Sequence, residues 1–218
     1  KHYQFWMVLG ISTFMYSVVD QFGFELIGEA TYPGFSKGVE ITILDVAIVS
    51  YLIMTRGAQS KQAVPFKLVM ILYFLAVLAT VPGANLKGPV IYYAFQLLRM
   101  YALYRAVSMA MTDEKNYDGF LKGLCIGAVM EAGFVVLQRF VQGDIQPDGT
   151  FGHQNQLGLI TNVVLLIMVA SLLAGDRPTN RWIGAGASLL VSAVAGSRGR
   201  VGFAFIGLAR SFFLSLLH

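Results

Sequence analysis

The sequence predicts an all-α, polytopic membrane protein. Apolar residues make up 56% of the 218 residues and charged residues only 13%, whereas roughly a quarter of the residues in a soluble domain are charged. The apolar residues form runs without the alternation of an outer-membrane barrel strand. About eight runs approach the roughly 20 residues that a helix needs to span the hydrocarbon. We therefore expect residues 1–218 to form a single transmembrane helical domain, the N-terminal part of a longer membrane protein.

Eight apolar segments are expected to be membrane helices. In chain order they are Phe5–Val19, Val39–Thr55, Phe66–Val81, Val90–Met111, Phe120–Phe140, Leu157–Leu173, Trp182–Ala195 and Val201–Leu217. The seventh is short and rich in glycine, so we expect it to pack closely against a neighbouring helix. The single cysteine, Cys125, lies inside the fifth segment, which predicts a buried thiol and excludes a disulfide framework.

Basic residues in the short loops predict the orientation of these helices, because such loops face the cytoplasm. One side carries Arg56, Lys61, Lys67, Lys115, Lys122, Arg177 and Arg181. The opposite side carries an acidic first loop with Asp20, Glu25 and Glu29, the loop Pro82–Gly88, and the loop Gln142–Gln156. The amino terminus is therefore expected in the cytoplasm.

Two polar stretches interrupt the apolar scaffold, each at the end of a predicted helix. Residues 149–158 read Gly-Thr-Phe-Gly-His-Gln-Asn-Gln-Leu-Gly, and residues 196–202 read Gly-Ser-Arg-Gly-Arg-Val-Gly. Glycines at these positions let a backbone or a ligand approach closely. The orientation places both stretches on the outer side, where we expect them to form the functional site.

Arg198 and Arg200 precede the eighth segment, where the free N–H groups and dipole of a helix start favour anions. Guanidinium groups bind phosphate in a bidentate manner, so this arrangement predicts a phosphate-binding site. Arginine on the outer side opposes the insertion bias and needs a compensating partner. Two interpretations stay open: pairing with Asp144, Asp148 or a lipid phosphate, and binding of an anionic substrate.

His153 lies one turn before the sixth segment and is a candidate general base. Gln154 or Asn155 would orient it or bind sugar hydroxyls. The alternative is a purely structural loop in which Asn155 caps the sixth segment. Arg139, at the outer end of the fifth segment, would add positive potential near this loop.

Four ionisable residues fall within or beside the predicted membrane segments: Asp45, Arg99, Arg105 and Glu131. Such residues are costly in hydrocarbon and face a partner or a wet cavity. We expect a structural ion pair between Arg99 and Glu131; alternatively, Arg99 lines a polar groove for substrate. Asp45 and Arg105 are expected near the membrane interface.

Several kinds of chemistry are excluded by the sequence. It contains no Cys/His cluster with zinc spacing, and Asp144 and Asp148 alone are too few to assign a divalent metal. It contains no phosphate-binding loop of the nucleotide type. The net charge of +4 is spread over loops that flank membrane segments, which argues against a nucleic-acid partner. We expect no metal and no other cofactor.

The two polar stretches resemble those of a known family. Gly149-Thr150-Phe151-Gly152-His153-Gln154-Asn155 resembles the Gly-Thr-Phe-Gly-His-Pro-Asn-type stretch of many O-antigen ligases and related polysaccharide polymerases, with Gln154 replacing the frequent proline. Ser197-Arg198-Gly199 is similar to the Ser-Arg-Gly that opens their shared membrane domain. The resemblance covers the fifth to eighth segments.

The resemblance implies a GT-C-like membrane glycosyltransferase of lipopolysaccharide biosynthesis in the bacterial inner membrane. Such an enzyme takes glycan from an undecaprenyl diphosphate carrier at the periplasmic face, without a metal or a nucleotide. It passes the glycan to lipid A–core or to another glycan chain. Arginines hold the diphosphate, which implies this role for Arg198 above all. The family's catalytic histidine lies in a large external loop, expected here beyond His218.

Two other function classes fit parts of the sequence. A transporter or flippase of an anionic lipid-linked glycan would also use external arginines and intramembrane charges, but it should show an internal repeat, and none is found. A non-catalytic membrane scaffold would need neither the histidine loop nor the outer arginines. The transferase interpretation accounts for both features.

Overall fold

The structure is a computed structural model that describes residues 2–14, 24–28, 38–55, 65–176, 178–195 and residue 207. This part of the chain is mostly helical. Its elements are α1 (Tyr3–Ser12), β1 (Phe24–Gly28), β2 (Gly38–Ile41), α2 (Ile43–Met54), α3 (Lys67–Ala79), a 3₁₀ turn (Val81–Gly83), α4 (Lys87–Ala110), α5 (Glu114–Leu137), a π-helical turn (Gln138–Gln142), α6 (Gln154–Leu173) and α7 (Thr179–Val194). The chain forms two compact units, a first unit of Lys1–Val18 with Glu114–His218 and a second unit of Val19–Asp113.

The expectation of about eight transmembrane helices is wrong. Two helices of the described chain are long and apolar enough to cross a membrane: α5 continued by the π turn, with 29 residues, and α6, with 20. Helices α1, α2, α3 and α7 have 10, 12, 13 and 16 residues. At 1.5 Å per residue they rise about 15–24 Å, which is shorter than the roughly 30 Å of hydrocarbon.

The other two predicted segments differ for separate reasons. Helix α4 has 24 residues, but Lys87, Arg99 and Arg105 reduce its mean hydropathy. The eighth segment, Val201–Leu217, lies outside the described residues apart from Gly207.

The chain is also not purely helical. Strands β1 and β2 pair antiparallel, with Phe24 opposite Ile41 and Gly28 opposite Gly38, and the register shifts between Glu25 and Ile27. Residues 39–42 read Val-Glu-Ile-Thr, an alternation of apolar and polar residues that is typical of a strand. The second predicted segment, which began at Val39, therefore starts as a strand and becomes helical only at Ile43.

The start of α2 in the second unit is set by Thr42 and Asp45. The Thr42 hydroxyl accepts from the Asp45 backbone N–H, and the Asp45 carboxylate accepts from the Thr42 N–H at 2.7 Å. This capping box satisfies N–H groups that a helix start otherwise leaves free. Arg99 of α4 then binds the same carboxylate with two nitrogens, at 2.9 and 2.6 Å.

In the first unit, α1 packs along α5 through glycines spaced four residues apart. A Cβ at Gly119 would meet the Tyr3 carbonyl, and a Cβ at Gly123 would meet the Met7 carbonyl. A Cβ at the next glycine of the series, Gly127, would meet the Phe14 ring. The contacts advance in the same direction on both helices, so α1 and α5 are parallel. Small residues at this spacing let helix backbones approach closely.

Helix α7 is parallel to α5, and α6 runs in the opposite direction between the same ends. Arg181 of α7 lies at Asp118 of α5, at 3.0 Å, and Gly184 packs on Cys125. Ser192 of α7 donates to Asn162 of α6 at 3.1 Å, and Gly184 packs on Met168 of α6. Gly184 thus provides the close packing expected of the seventh segment.

The bundle of the first unit has two distinct ends. The Arg181 end contains Tyr3, Asp118, Lys122, Asp176 and Arg181; there, the buried Arg181 guanidinium binds the carboxylates of Asp118 and Asp176. The loop end contains Phe14, the residues from Gln138 to His153, and Ala195 at the end of α7. Phe14, Phe151 and Ala195 all belong to one buried apolar cluster.

Candidate functional site

The loop between α5 and α6 begins with a π-helical turn that Arg139 closes. This turn ends at Gly143, whose φ of 81° is in the left-handed region. The Arg139 guanidinium Nη1 donates to the carbonyl oxygens of Asp144, at 3.1 Å, and Ile145, at 2.6 Å. Arg139 was predicted as a site residue; the structure gives it a local role in shaping the loop, and its charge remains at the loop end.

The Gln138 side chain holds the next part of the loop. Its Oε1 accepts from the Gly149 N–H at 2.8 Å, and its Nε2 donates to the Gly149 carbonyl at 3.0 Å. The same amide nitrogen lies 3.2 Å from the Asp148 carboxylate. A side-chain amide therefore replaces the backbone partner that a strand or helix would supply to Gly149.

Glu131 and Thr150 form the innermost contact of the loop. The Glu131 side chain is 1% exposed. Its Oε1 accepts from the Thr150 N–H at 2.8 Å, and its Oε2 lies 2.9 Å from the Thr150 hydroxyl. That hydroxyl also lies 2.6 Å from the Phe14 carbonyl oxygen at the end of α1. The Gly149–Thr150 segment is thereby fixed to two helices at once.

Gly149 is required at its position for two reasons. Its φ is +62°, and a Cβ there would lie against Oε1 of Glu131. Phe151 follows as a buried anchor, with its ring edge-on to that of Phe14 at 6.4 Å between centroids. Gly152, with φ +64°, then turns the chain outward. The Gly-Thr-Phe-Gly sequence therefore docks on the bundle and presents His153 at the surface.

His153 is exposed and caps α6. Its Nδ1 accepts a hydrogen bond from the Asn155 backbone N–H at 3.1 Å, and its carbonyl accepts from Gln156 and Leu157. An imidazole nitrogen that accepts carries no proton, so in the neutral ring Nε2 carries it. This tautomer makes His153 a hydrogen-bond donor toward solvent and leaves no lone pair on Nε2 for a general base.

The cap corrects one alternative raised by the sequence. Asn155 was considered as the cap of the sixth segment; the capping residue is His153, and α6 begins at Gln154. Asn155 lies in the first turn of α6, with its side chain exposed. His153 and Asn155 are thus exposed neighbours at the loop end.

The predicted ion pair between Arg99 and Glu131 is wrong. Arg99 binds Asp45 with both Nε and Nη2, whereas Glu131 contacts the backbone N–H and the hydroxyl of Thr150. Asp45 is accordingly a helix-capping and ion-pairing residue of the second unit. The sequence could not distinguish these pairings. It shows that a charged residue lies within an apolar segment, but not which neighbouring helix its side chain faces.

Arg198 and Arg200 lie outside the described residues, as does a contact of either with Asp144 or Asp148. Helix α7 ends at Val194, and Ala195 is buried in the cluster at the loop end. Arg198 follows three residues later in the sequence. Among the described residues, no group of three or more His, Cys, Asp and Glu side chains is placed to hold a metal ion.

No protein-family model, curated protein or solved structure matches the chain. Sequence reasoning missed Gln138 and the Thr42–Asp45 capping box. The capping box had a readable signal, Thr-x-x-Asp before an apolar run. Gln138 and Glu131 are seven residues apart and so share one helix face, but nothing in the sequence shows that the loop folds back onto them.

Proposed function

We propose that the protein is a membrane glycosyltransferase of the O-antigen ligase or polymerase type. It transfers glycan from an undecaprenyl diphosphate carrier to lipid A–core or to another glycan chain, at the periplasmic face of the bacterial inner membrane. The observation that carries the proposal is the docked Gly149–Gly152 segment, which presents His153 at the loop end. The same end receives the chain from α7 just before Ser197-Arg198-Gly199, the second stretch of the resemblance.

The diphosphate is the chemical group that this end is suited to bind. Arg198 and Arg200 would supply guanidinium forks, which match phosphate oxygens in a bidentate manner. His153 would add a neutral donor through Nε2–H, and the Asn155 amide would donate to the sugar or to phosphate. Negative charge grows on the diphosphate as the bond to the sugar breaks, so donors held in place before the reaction lower the barrier.

The cap on His153 also limits its role in this proposal. Abstraction of the acceptor proton needs a nitrogen lone pair, and the lone pair at Nδ1 is engaged by the Asn155 N–H. We therefore assign His153 to donor binding and leave the activation of the acceptor hydroxyl to another group. Arg139 Nη1 donates to two loop carbonyls. We therefore assign Arg139 no direct contact with the donor and expect it to contribute only positive potential.

The membrane placement rests on α5 and α6. Both are long and apolar enough to cross a membrane, and they run in opposite directions between the two ends of the first unit. If both span the bilayer, the loop end and the Arg181 end lie on opposite faces. The basic residues Lys115 and Lys122 near the start of α5 favour the cytoplasm for the Arg181 end. The loop end would then face the periplasm.

Glycan transfer by the purified protein, expressed from its whole coding sequence, tests the function. The donor is an undecaprenyl-diphosphate-linked glycan, and lipid A–core and a second carrier-linked glycan are tried as acceptors. Arg198→Ala should lower the rate by on the order of a hundredfold or more, as loss of one charged transition-state contact does. Arg198→Lys keeps the charge but loses the fork, so it should stay impaired.

The matched control is Lys115→Ala, which removes a cation from the opposite end of the first unit and should leave the rate unchanged. Tight donor binding with no transfer to either acceptor would instead favour a transporter of the lipid-linked glycan. An unchanged rate in Arg198→Ala would refute the assigned role of the arginine.

A further inference from the structure

Glu131 is a buried carboxyl group whose position is not explained by an ion pair. It lies about three-quarters of the way along α5, is 1% exposed, and contacts the loop that carries His153. We propose that Glu131 is a positioning residue of the site and acts in its protonated form, holding Gly149–His153 in place through the Thr150 hydroxyl. Its positioning role rests on the proposed function, whereas its protonation does not.

The proton count at Thr150 carries this inference. The Thr150 Oγ1 lies 2.6 Å from the Phe14 carbonyl oxygen, and a carbonyl has no proton to give. The single hydroxyl proton of Thr150 must therefore be donated to Phe14. Oγ1 also lies 2.9 Å from Oε2 of Glu131. That second contact is a hydrogen bond only if Glu131 supplies the proton, as a carboxylic acid does.

The charges around Glu131 agree with a neutral side chain. The described chain places no Lys, Arg or His side chain within ion-pair distance of it. Residues 5–14 of the α1 region and all of α6 contain no ionisable side chain, and Arg181 of α7 binds Asp118 at the opposite end. Among the described residues, the side chain that acts on Glu131 through its charge is another carboxyl group, Asp148. A buried carboxylate without a counter-ion is strongly disfavoured.

The proton on Glu131 helps to fix the loop through Thr150. Neutral Glu131 accepts from the Thr150 N–H with Oε1 and donates to the Thr150 hydroxyl with Oε2, so both carboxyl oxygens are used. Gly149 lies directly against Oε1, which explains why this position accepts no side chain. Only Phe151 and Gly152 separate Thr150 from His153, so the fixed Thr150 backbone restricts where the imidazole can lie.

Three variants separate a neutral acid from a carboxylate. Glu131→Gln keeps an acceptor for the Thr150 N–H and a donor for the Thr150 hydroxyl, whereas Glu131→Ala has neither. Thr150→Val keeps the shape but removes the hydroxyl. Infrared spectroscopy of the protein in lipid nanodiscs detects the carbonyl band of a protonated carboxylic acid, and the wild type minus Glu131→Gln difference assigns that band to Glu131.

We expect the acid band in the wild type at neutral pH and its loss in Glu131→Gln. Hydrogen exchange of residues 143–153 should match the wild type in Glu131→Gln and be faster by about tenfold in Glu131→Ala and Thr150→Val, since a buried hydrogen bond is lost in each. Glycan transfer should follow the same order. A missing acid band, or a Glu131→Gln variant as loose as Glu131→Ala, would overturn the proposal. The acid band and the hydrogen exchange are measured without substrate. Failure of the transfer assay alone would therefore reject the proposed function but not the protonated Glu131–Thr150 contact.

Discussion

Gln138 and Gly149 exchange two hydrogen bonds, although they lie eleven positions apart along the chain. The Gly149 N–H donates to the Gln138 Oε1 at 2.8 Å, and the Gln138 Nε2 donates to the Gly149 carbonyl at 3.0 Å. A single side chain thus satisfies both polar groups of one peptide residue. The loop that presents His153 depends on this pair for its position over the end of α5.

Replacing Gln138 with alanine should release the loop. The change leaves the N–H and the carbonyl of Gly149 without partners, at a cost of about 1–3 kcal/mol for each group that stays buried. Hydrogen exchange of residues 143–153 measures the effect. We expect the variant to exchange faster than the wild type in this loop, with a smaller change in α6. The control is Gln142→Ala, an exposed glutamine of the same π turn, which should exchange like the wild type.

Gly149→Ala and Gly152→Ala separate backbone strain from steric clash. Both glycines have left-handed backbones, with φ of +62° and +64°, so alanine should cost about 1–2 kcal/mol at either position. At Gly149 the added Cβ also meets Glu131, whereas nothing lies within 4 Å at Gly152. Thermal unfolding should therefore show the larger loss for Gly149→Ala. Equal losses would mean that Glu131 does not contact this glycine.

A second glycine pair tests the packing of α1 on α5. In Gly123→Ala the new methyl group would meet the Met7 carbonyl, so we expect destabilisation of about 1–3 kcal/mol from overpacking. Gly133→Ala lies on the same helix with nothing within 4 Å. That change should be neutral or stabilise by up to about 1 kcal/mol, because alanine favours helix. Unfolding midpoints of the two variants in one detergent give the comparison, and destabilisation by both would argue against specific packing at Gly123.

Acid should weaken the second unit through Asp45. Burial raises the pKa of this carboxyl, but hydrogen bonds from Arg99 and Thr42 outweigh burial and hold the pKa below its ordinary 3.8. A depressed folded-state pKa contributes stability above the unfolded pKa that is lost as pH falls through the folded value. The protection of residues 38–55 from hydrogen exchange, measured relative to the intrinsic rate at each pH, should therefore fall below about pH 4.

Asp45→Asn should show the faster exchange already at neutral pH and respond less to acid. Asp113→Asn, an exposed carboxyl of the same unit, is the control and should keep the acid response. An Asp45→Asn variant with the acid response of the wild type would show that another group controls it.

Helix content was predictable from the sequence, whereas helix length was not. The run Leu157–Leu173 was predicted as a helix, and α6 ends at Leu173 as expected. Val39–Thr55 was wrong in its first residues, because hydropathy alone does not distinguish a buried strand from a helix over four residues. Helix α7 shows that apolar composition alone does not predict a spanning helix. It has only 16 residues, and its Gly184 packs against Cys125 of α5 and Met168 of α6.

The residues of the candidate site stand out in the sequence, but the contacts that hold them do not. The Gly149–Asn155 stretch stood out by composition, and the structure presents His153 and Asn155 on its surface. The roles of Glu131 and Gln138 depend on a loop that folds back onto α5. Thr150, which contacts Glu131, lies nineteen positions later in the chain, and no local sequence pattern predicts this contact. The tautomer of His153 depends likewise on a single hydrogen bond, which its Nδ1 accepts from the Asn155 backbone N–H.

Photo-crosslinking with a polyprenyl diphosphate analogue tests the proposed diphosphate site most directly. The probe carries its reactive group next to the diphosphate, and the adducts are mapped by mass spectrometry of the protein in nanodiscs. We predict adducts in the peptides that contain residues 149–155 and 196–202, and their loss with excess unlabelled undecaprenyl diphosphate or in Arg198→Ala. Adducts confined to the opposite end of the first unit, around Asp118 and Asp176, would contradict the account.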